Sequence, residues 1–315
     1  MQEFLDQIIC GDCIEVLGKE TEPFADLIFA DPPFNIGYKY DKYYDKVKKK
    51  NYIAWTSRWM SICKKVLKPH GSFYIAIGDD YAANIKIIAD ELGLFMRNWI
   101  IWHYTFGQQM KNKFARAHTH IFYFVNDKNI FTFNDTAVRV PSDRQLLYND
   151  KRANPAGKMP DDVWNTYSRV CGTFKERTGW HPCQMPENLL KRIISVSSNP
   201  GDFVLDPFCG SGTTPAAAMQ LSRRYAGIEI SREYVNNTKK RLEKFRKTNR
   251  ANLCLNTTEL NEIKRLSVDM GKPLREIAAD KNLLKIFANQ FAVRMNNKKK
   301  YTEQEIALAV KDLND

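Results

Sequence analysis

The sequence predicts an α/β fold: a mostly parallel sheet with a small helical appendage at the C-terminus. Two observations carry this. Through about the first 230 residues short apolar runs alternate with helical patterns, the mark of strands interleaved with helices. After about Thr248 that rhythm stops, and apolar residues recur at helical spacing alone. Taken in order, the candidate strands are Gln7–Cys10, Ala25–Ala30, Ser72–Ile77, Asn98–Tyr104, His120–Val125, Phe203–Asp206 and Tyr225–Ile230, which gives a seven-stranded sheet. The candidate helices are Asn51–Leu67, Tyr81–Leu92, Glu187–Ser197, Thr213–Leu221 and Arg232–Lys247. Thr105–Thr178 breaks the pattern, being polar with Pro141, Pro155, Gly157 and Pro160 as breakers, and reads as a substrate-facing insert. In the tail Leu274, Ile277, Ala278, Leu283, Leu284, Phe287 and Phe291 mark helical packing, and a last helix is expected over Glu303–Leu313. A helix-turn-helix contact with DNA is the lesser reading of this tail, because its charge is nearly balanced.

Composition narrows the class. With 43% hydrophobic and 27% charged residues in 315, the chain can bury a substantial core, and wholesale disorder is excluded. No run approaches the roughly 20 apolar residues of a membrane span, and the acidic start Met1–Asp6 lacks the pattern of a signal peptide, so a cytoplasmic protein is expected. Seven cysteines in a chain of this size do not suggest a disulfide framework. Cys10 and Cys13 form a CxxC pair without two further ligands at finger spacing, so no metal is expected.

The net charge of +12 is concentrated. Residues 42–68 hold nine Lys/Arg against one acid, and residues 231–250 hold eight against two. Stripes of this kind point to a polyanion. In 42–68 the interleaved Tyr43, Tyr44, Tyr52, Trp55 and Trp59 favour nucleic acid, since aromatic faces stack on bases while lysines meet phosphates.

Two segments carry chemistry. Asp31-Pro32-Pro33-Phe34 follows the apolar run Leu27–Ala30, at the carboxyl end of a strand, where open α/β sheets place their ligands. Two prolines stiffen the turn and remove two N–H donors. A carboxylate and a backbone carbonyl held there suit the two N–H donors of an exocyclic amine, and Phe34 offers a face for a base. Alone, these four residues also fit a plain strand-ending turn. Asp206-Pro207-Phe208-Cys209-Gly210-Ser211-Gly212-Thr213-Thr214 follows Phe203–Leu205 and opens a helix. Its glycines admit a ligand close to the backbone, and the helix start favours an anion such as a carboxylate. It is neither G-x-G-x-x-G nor a P-loop. Glu229, 17 residues after Gly212, is spaced as an acid that accepts from two ribose hydroxyls. A nucleoside-like ligand bearing a carboxylate fits, and S-adenosylmethionine is one.

These segments, in this order, resemble the amino-group DNA methyltransferases of permuted motif order, the beta class, over about residues 5–247. In that family the D-P-P-[Y/F/W] motif comes first, then a target-recognition region, then an H-P-x-Q-x-P segment, then the cofactor motif. Here these are Asp31–Phe34, the insert, His181-Pro182-Cys183-Gln184-Met185-Pro186, and Asp206–Thr214. Met185 stands where the family often has Lys. The resemblance implies a circularly permuted, Rossmann-like S-adenosylmethionine-dependent methyltransferase fold over residues 1–248, with the target-recognition insert at about 105–178 and the extension at 249–315. It implies that Asp12 meets the cofactor's adenine, that Glu229 and Ile230 border the ribose, that Phe208, Cys209, Gly210, Ser211, Gly212 and Thr213 wrap the methionine portion with Asp206, and that His181 and Gln184 lie near its carboxylate. Asp31, Pro32, Pro33 and Phe34 would be catalytic. Lys42, Lys46, Lys48, Lys49 and Lys50, with Lys111, Lys113 and Arg116 of the insert, would hold double-stranded DNA. Asp at position 31 implies N6-adenine methylation after base flipping. N4-cytosine methylation on the same scaffold and a catalytically dead DNA-binding module are the alternatives. A homodimer and a cognate restriction endonuclease are further partners the family suggests.

Overall fold

The computed structural model describes residues 2–148, 150–248, 255–296, 301 and 303–313. In chain order the elements are β1 (Gln7–Cys10), α1 (Cys13–Gly18), β2 (Ala25–Ala30), β3 (Tyr38–Lys39), β4 (Tyr44–Asp45), α2 (Lys49–Val66), β5 (Leu67–Ile77), α3 (Asp79–Glu91), β6 (Phe95–Gln108), β7 (Arg116–Val125), α4 (Asp143–Leu146), β8 (Val163–Trp164), α5 (Glu187–Ser197), β9 (Phe203–Asp206), α6 (Thr213–Gln220), β10 (Arg224–Glu229), α7 (Arg232–Thr248), α8 (Thr257–Asp269), α9 (Leu274–Ala279), α10 (Lys281–Arg294) and α11 (Glu303–Asp312). They form two compact units, residues 1–133 with 162–246, and residues 134–161 with 247–315. No helix among the described residues is long and apolar enough to cross a membrane.

The first unit is built on a sheet of order β1-β10-β9-β2-β5-β7-β6-β8. The first five strands run parallel, and β7 lies antiparallel between β5 and β6. β2 is buried along its whole length, as a central strand covered on both faces must be. Its one acid, Asp26, is satisfied by the Phe203 N–H at 2.8 Å and by Lys68 Nζ and His70 Nε2, each at 2.9 Å, which ties β2 to β9 and β5. The chain runs outward from β2 to β5 in one direction and from β9 to β10 in the other. The boundary between β2 and β9 is therefore the switch point, and a ligand crevice is expected above their carboxyl ends.

The sheet has eight strands, not the expected seven. The extra one is β8, two residues from the insert that pair parallel with β6 at Ile101↔Val163 and Trp102↔Trp164. A two-residue strand has no periodicity to read. The insert is also less irregular than expected, since β6 runs to Gln108 and β7 starts at Arg116.

The second unit departs from the expected boundary at residue 249, because residues 134–161 fold with the tail. The reason is a buried ionic and backbone network. Arg294 is fully buried and pairs with Glu262 at 3.1 Å and Asp269 at 2.8 Å, while donating to the carbonyls of Val138 and Arg139. Gln290 donates to the Ala156 carbonyl, and Arg265 to that of Ala137. The apolar stripe Leu283, Phe287 and Phe291 of α10 lies in the core of this unit, which argues against α10 as an exposed DNA-reading helix.

Candidate active site

The ends of β2 and β9 are neighbours, in register at Leu27↔Val204 and Ile28↔Leu205. The two chemistry-bearing corners that follow them open into one cavity of about 350 Å³, walled by Asp31, Pro32, Pro33 and Phe34 on one side and by Asp206, Phe208, Cys209, Gly210, Ser211 and Thr213 on the other.

The first corner is pinned from several directions. Tyr52 of α2, buried, donates its hydroxyl to the Pro33 carbonyl at 2.6 Å. Asn35 takes a left-handed φ of 58°, and the backbone N–H groups of Asn35 and Ile36 donate to the buried Asp45 carboxylate at 2.6 and 3.2 Å. The Asn35 amide bonds both ways with the Val47 backbone and donates to the Tyr81 hydroxyl at 2.6 Å. The Pro33 carbonyl is engaged by Tyr52, and Asp31 and Pro32 line the cavity beside it. Phe34 lies against Gly78, where an added Cβ would stand 3.4 Å from its ring.

The second corner is held by its own turn and by β10 and α7. Asp206 accepts from the Phe208 N–H at 3.0 Å, the Cys209 N–H bonds to the Ile228 carbonyl at 2.9 Å, and Gly210 and Gly212 take positive φ. Gly212 does not line the cavity. It caps α6, and a Cβ there would collide with Thr238 of α7 at 2.3 Å, so its role is close packing. Cys209 is buried, with its sulfur against Gly227. Arg241 of α7 secures the loop, donating to the Ser211 carbonyl at 2.7 Å and pairing with Glu187 at 2.7 Å.

The third wall comes from β10 and β1, paired at Cys10↔Glu229. Glu229 accepts from the backbone N–H groups of Gly210 at 2.9 Å and Ser231 at 2.8 Å, which fixes its carboxylate beside exposed Ile230. Asp12 also lines the cavity, and its Oδ1 caps α1 by accepting from the Ile14 N–H at 2.7 Å. The β3–β4 hairpin is tied to this wall by the Ser231 hydroxyl, which donates to Asp41 at 2.6 Å. Tyr40 of the hairpin donates to the Cys183 sulfur.

His181 lies beside Gly210, where a Cβ would stand 2.8 Å from its Nε2. Its Nδ1 accepts from the Cys183 N–H at 3.3 Å, which assigns the ring proton to Nε2. Burial lowers its pKa to about 4, so the ring is a neutral donor at physiological pH. Gln184 lines the same cavity, but its amide is spent on the backbone, donating to the Glu176 carbonyl and accepting from the Thr178 N–H, so it anchors a loop.

Three carboxylates, Asp31, Asp206 and Glu229, gather on this part of the wall, in a cavity that Lys42, Arg116 and Arg169 also line. Burial and then the neighbouring Asp206 raise the pKa of Asp31 to about 8. Burial chiefly raises Asp206 to about 7, against the hydrogen bonds from Thr214 and Phe208, and burial raises Glu229 as well. A pocket that strains its carboxylates in this way is suited to a positively charged ligand.

The basic residues divide. Lys42 lines the cavity, and Lys46, Lys48, Lys49 and Lys50 are exposed along the connection into α2. Lys49 and Lys50 occupy the first turn of α2, where the helix dipole disfavours cations, so helix stability does not account for them. Lys111 and Lys113 are exposed between β6 and β7. Arg116 is paired with Asp79 at 2.8 Å and Asp80 at 3.3 Å, which makes it an anchor of the hairpin base. Lys68 is taken up by Asp26, and Lys64 by the Leu92 carbonyl. Of the aromatics expected to stack on bases, Tyr52 and Trp59 are core residues, while Trp55 lines the cavity 5.6 Å from the Phe208 ring. Sequence reasoning missed Tyr40, Trp102, Tyr104, His118 and Tyr234 on the cavity wall. Their dispersed positions carry no motif.

The chain matches the DNA methylase family over residues 25–240, more than half its length, and belongs to that family. The type II methyltransferase M.HpaI of Haemophilus parainfluenzae is 39% identical over 241 residues, covering 76% of this chain and 75% of that protein. The DNA adenine methyltransferase YhdJ of Escherichia coli K12 is 39% identical over 246 residues, covering 75% and 82%. Among solved structures, the M1.HpyAVI–SAM complex superposes with a TM-score of 0.54 at 25% identity, over 75% of this chain and 98% of that one. The cytosine-N4-specific PvuII DNA methyltransferase superposes at 0.58, over 84% of this chain and 93% of that one, and at 20% identity it shares the fold.

Proposed function

We propose that the protein transfers a methyl group from S-adenosylmethionine to the N6 amino group of adenine in DNA. The observation that carries this is the shared cavity at the β2/β9 switch point, with an amine-accepting corner facing a glycine loop backed by Glu229. The relative YhdJ, named a DNA adenine methyltransferase, and the M1.HpyAVI structure, solved with SAM, support the choice of base and methyl donor.

The cavity suits S-adenosylmethionine. Its strained carboxylates favour a cation, Glu229 is set to accept from ribose hydroxyls, Asp12 stands on the adenine side, and neutral His181 donates toward the methionine carboxylate. The bound donor supplies an electrophilic methyl group on a sulfonium. The residues of this chain orient the amine. The target atom is unreachable inside a duplex, so the adenine is flipped out at a cost of about a few kcal/mol. Phe34 stacks on it. The positive charge of the bound donor would counter the burial that raises the Asp31 pKa and draw this group into its ionised form, so that its carboxylate and the Pro32 carbonyl accept the two amino protons and direct the nitrogen lone pair into the cavity. Such alignment contributes at most about 7–11 kcal/mol. Transfer would form the N6–C bond as the S–C bond of the sulfonium breaks and leaves the neutral thioether S-adenosylhomocysteine, and the Asp31 carboxylate would take the surplus proton from the nitrogen before passing it to water. No cysteine acts as a nucleophile. Lys42–Lys50, Lys111 and Lys113 meet the DNA backbone. The same reading extends to a homodimer and, because M.HpaI and M.BglII are named type II methyltransferases, to a cognate restriction endonuclease in the cytoplasm.

The test is to incubate the protein with S-adenosylmethionine and unmethylated genomic DNA, digest to nucleosides, and identify the product by mass spectrometry. N6-methyldeoxyadenosine is expected. N4-methyldeoxycytidine, or an unchanged nucleoside pool, overturns the reading.

A further inference from the structure

Phe114, at the tip of the β6–β7 hairpin, is left without a task by the chemistry above. The two strands pair from Phe95 to His103, lose register, and meet again at Gln108↔Arg116. They pinch together at Gly107, where a Cβ would stand 2.4 Å from the Arg116 carbonyl and 2.9 Å from the Ala117 Cβ. The base is fixed to the start of α3 through Arg116 with Asp79 and Asp80. At this base Gln108, Arg116 and His118 line the same cavity as Asp31. The hairpin is thus a narrow, anchored arm rising from the rim of the site.

Its tip ends in a combination that protein–protein contact does not explain. Phe114 is 99% exposed, and Lys111 and Lys113 just before it are exposed as well. Scattered apolar side chains on a surface need no account. A ring wholly in water, set among lysines on an arm beside a base-sized cavity, is a different case. Interface cores are depleted of lysine, whereas an apolar wedge between base steps with cations on the flanking phosphates is a recurrent way of entering DNA.

We propose that Phe114 is a positioning residue that enters the base stack beside the target adenine and holds open the gap left when that base is flipped, while Lys111 and Lys113 grip the adjoining phosphates. This rests on the methyl-transfer reading. It assigns the cost of extrusion to the arm and the chemistry to the Asp31 corner, so the ring matters only where a stacked pair must be opened.

The site is first located by sequencing modified bases in DNA from cells expressing the wild-type protein. Two synthetic duplexes then carry that site, one with the target adenine paired to thymine, the other with it opposite an abasic position. Phe114→Ala is expected to lower kcat/KM on the paired duplex by about tenfold to a hundredfold, the scale of a lost stacking contact, while staying within about twofold of wild type on the abasic duplex. Phe114→Leu, which keeps an apolar wedge, is expected to restore most of the loss. Equal effects on both duplexes, or none on either, overturn the wedge. So does a Phe114→Ala protein whose loss tracks a fall in sedimenting mass, which makes the ring a contact between copies. A wild-type protein that modifies neither duplex overturns the methyl-transfer reading itself, and the wedge with it.

Discussion

The corners after β2 and β9 stand side by side and are braced by different parts of the fold. Asp31–Phe34 has almost no local support. Its geometry is imposed by Tyr52 on α2, by Asp45 on β4 and by Tyr81 on α3. Asp206–Thr214 has a bond of its own, Asp206 to Phe208, and is otherwise held by the Ile228 carbonyl and Glu229 carboxylate of β10 and by Thr238 and Arg241 of α7. The first is a rigid presenter, and its residues should govern turnover. The second, with Glu229, is a cradle, and its residues should govern cofactor affinity.

Substitutions at each corner can break that division. Asp31→Asn should lower methyl transfer by about 100- to 10,000-fold, the range for a lost proton acceptor, while calorimetric affinity for S-adenosylmethionine does not weaken. If affinity falls as far as rate, the division is wrong. Glu229→Gln should weaken cofactor affinity by about 10- to 100-fold, since hydrogen bonds to charged groups contribute about 1.5–3 kcal/mol, with kcat at saturation nearly kept. Tyr52→Phe removes one buried bond to the presenter, at about 1 kcal/mol of stability. Steady-state kinetics should show kcat reduced by about tenfold or less, with cofactor affinity unmoved.

A last test concerns stability. Asp31 in the folded protein has a pKa raised to about 8 by burial and by Asp206, well above the unfolded carboxylate. The folded state therefore holds a proton that the unfolded state releases, and wild-type stability falls as pH rises between about 4 and 8. Urea titrations should show Asp31→Asn gaining stability over wild type as pH rises from about 4 to about 8, with the gain vanishing near pH 4. A gain independent of pH would mean that the carboxylate is not strained.

The same contrast explains what the sequence could disclose. The proline pair and glycine loop are contiguous, so their order and strand-end positions were legible, and the α5 limits Glu187–Ser197 were read without error. The bracing was not legible. Tyr52 and Trp59 stood in a lysine-rich stretch and read as base-stacking groups, although Tyr52, Thr56, Trp59, Met60 and Cys63 repeat at helical spacing and form the buried stripe of α2. Periodicity was the better guide, and composition misled. α1, six residues long, and α8 went unread, though Asp12 and the Asn256–Glu259 capping box marked their starts. The union of residues 134–161 with the tail could not be foreseen, because the carbonyls that Arg294 needs lie far upstream.

That union has a genetic consequence. The second unit is encoded in two separated stretches, so a chimera that swaps only the C-terminal third would import an arginine without its carbonyls. Likewise, a stop codon just after α7 would leave the carbonyls of Val138, Arg139 and Ala156 without their donors. Recombination can transplant this unit intact only by exchanging both stretches together.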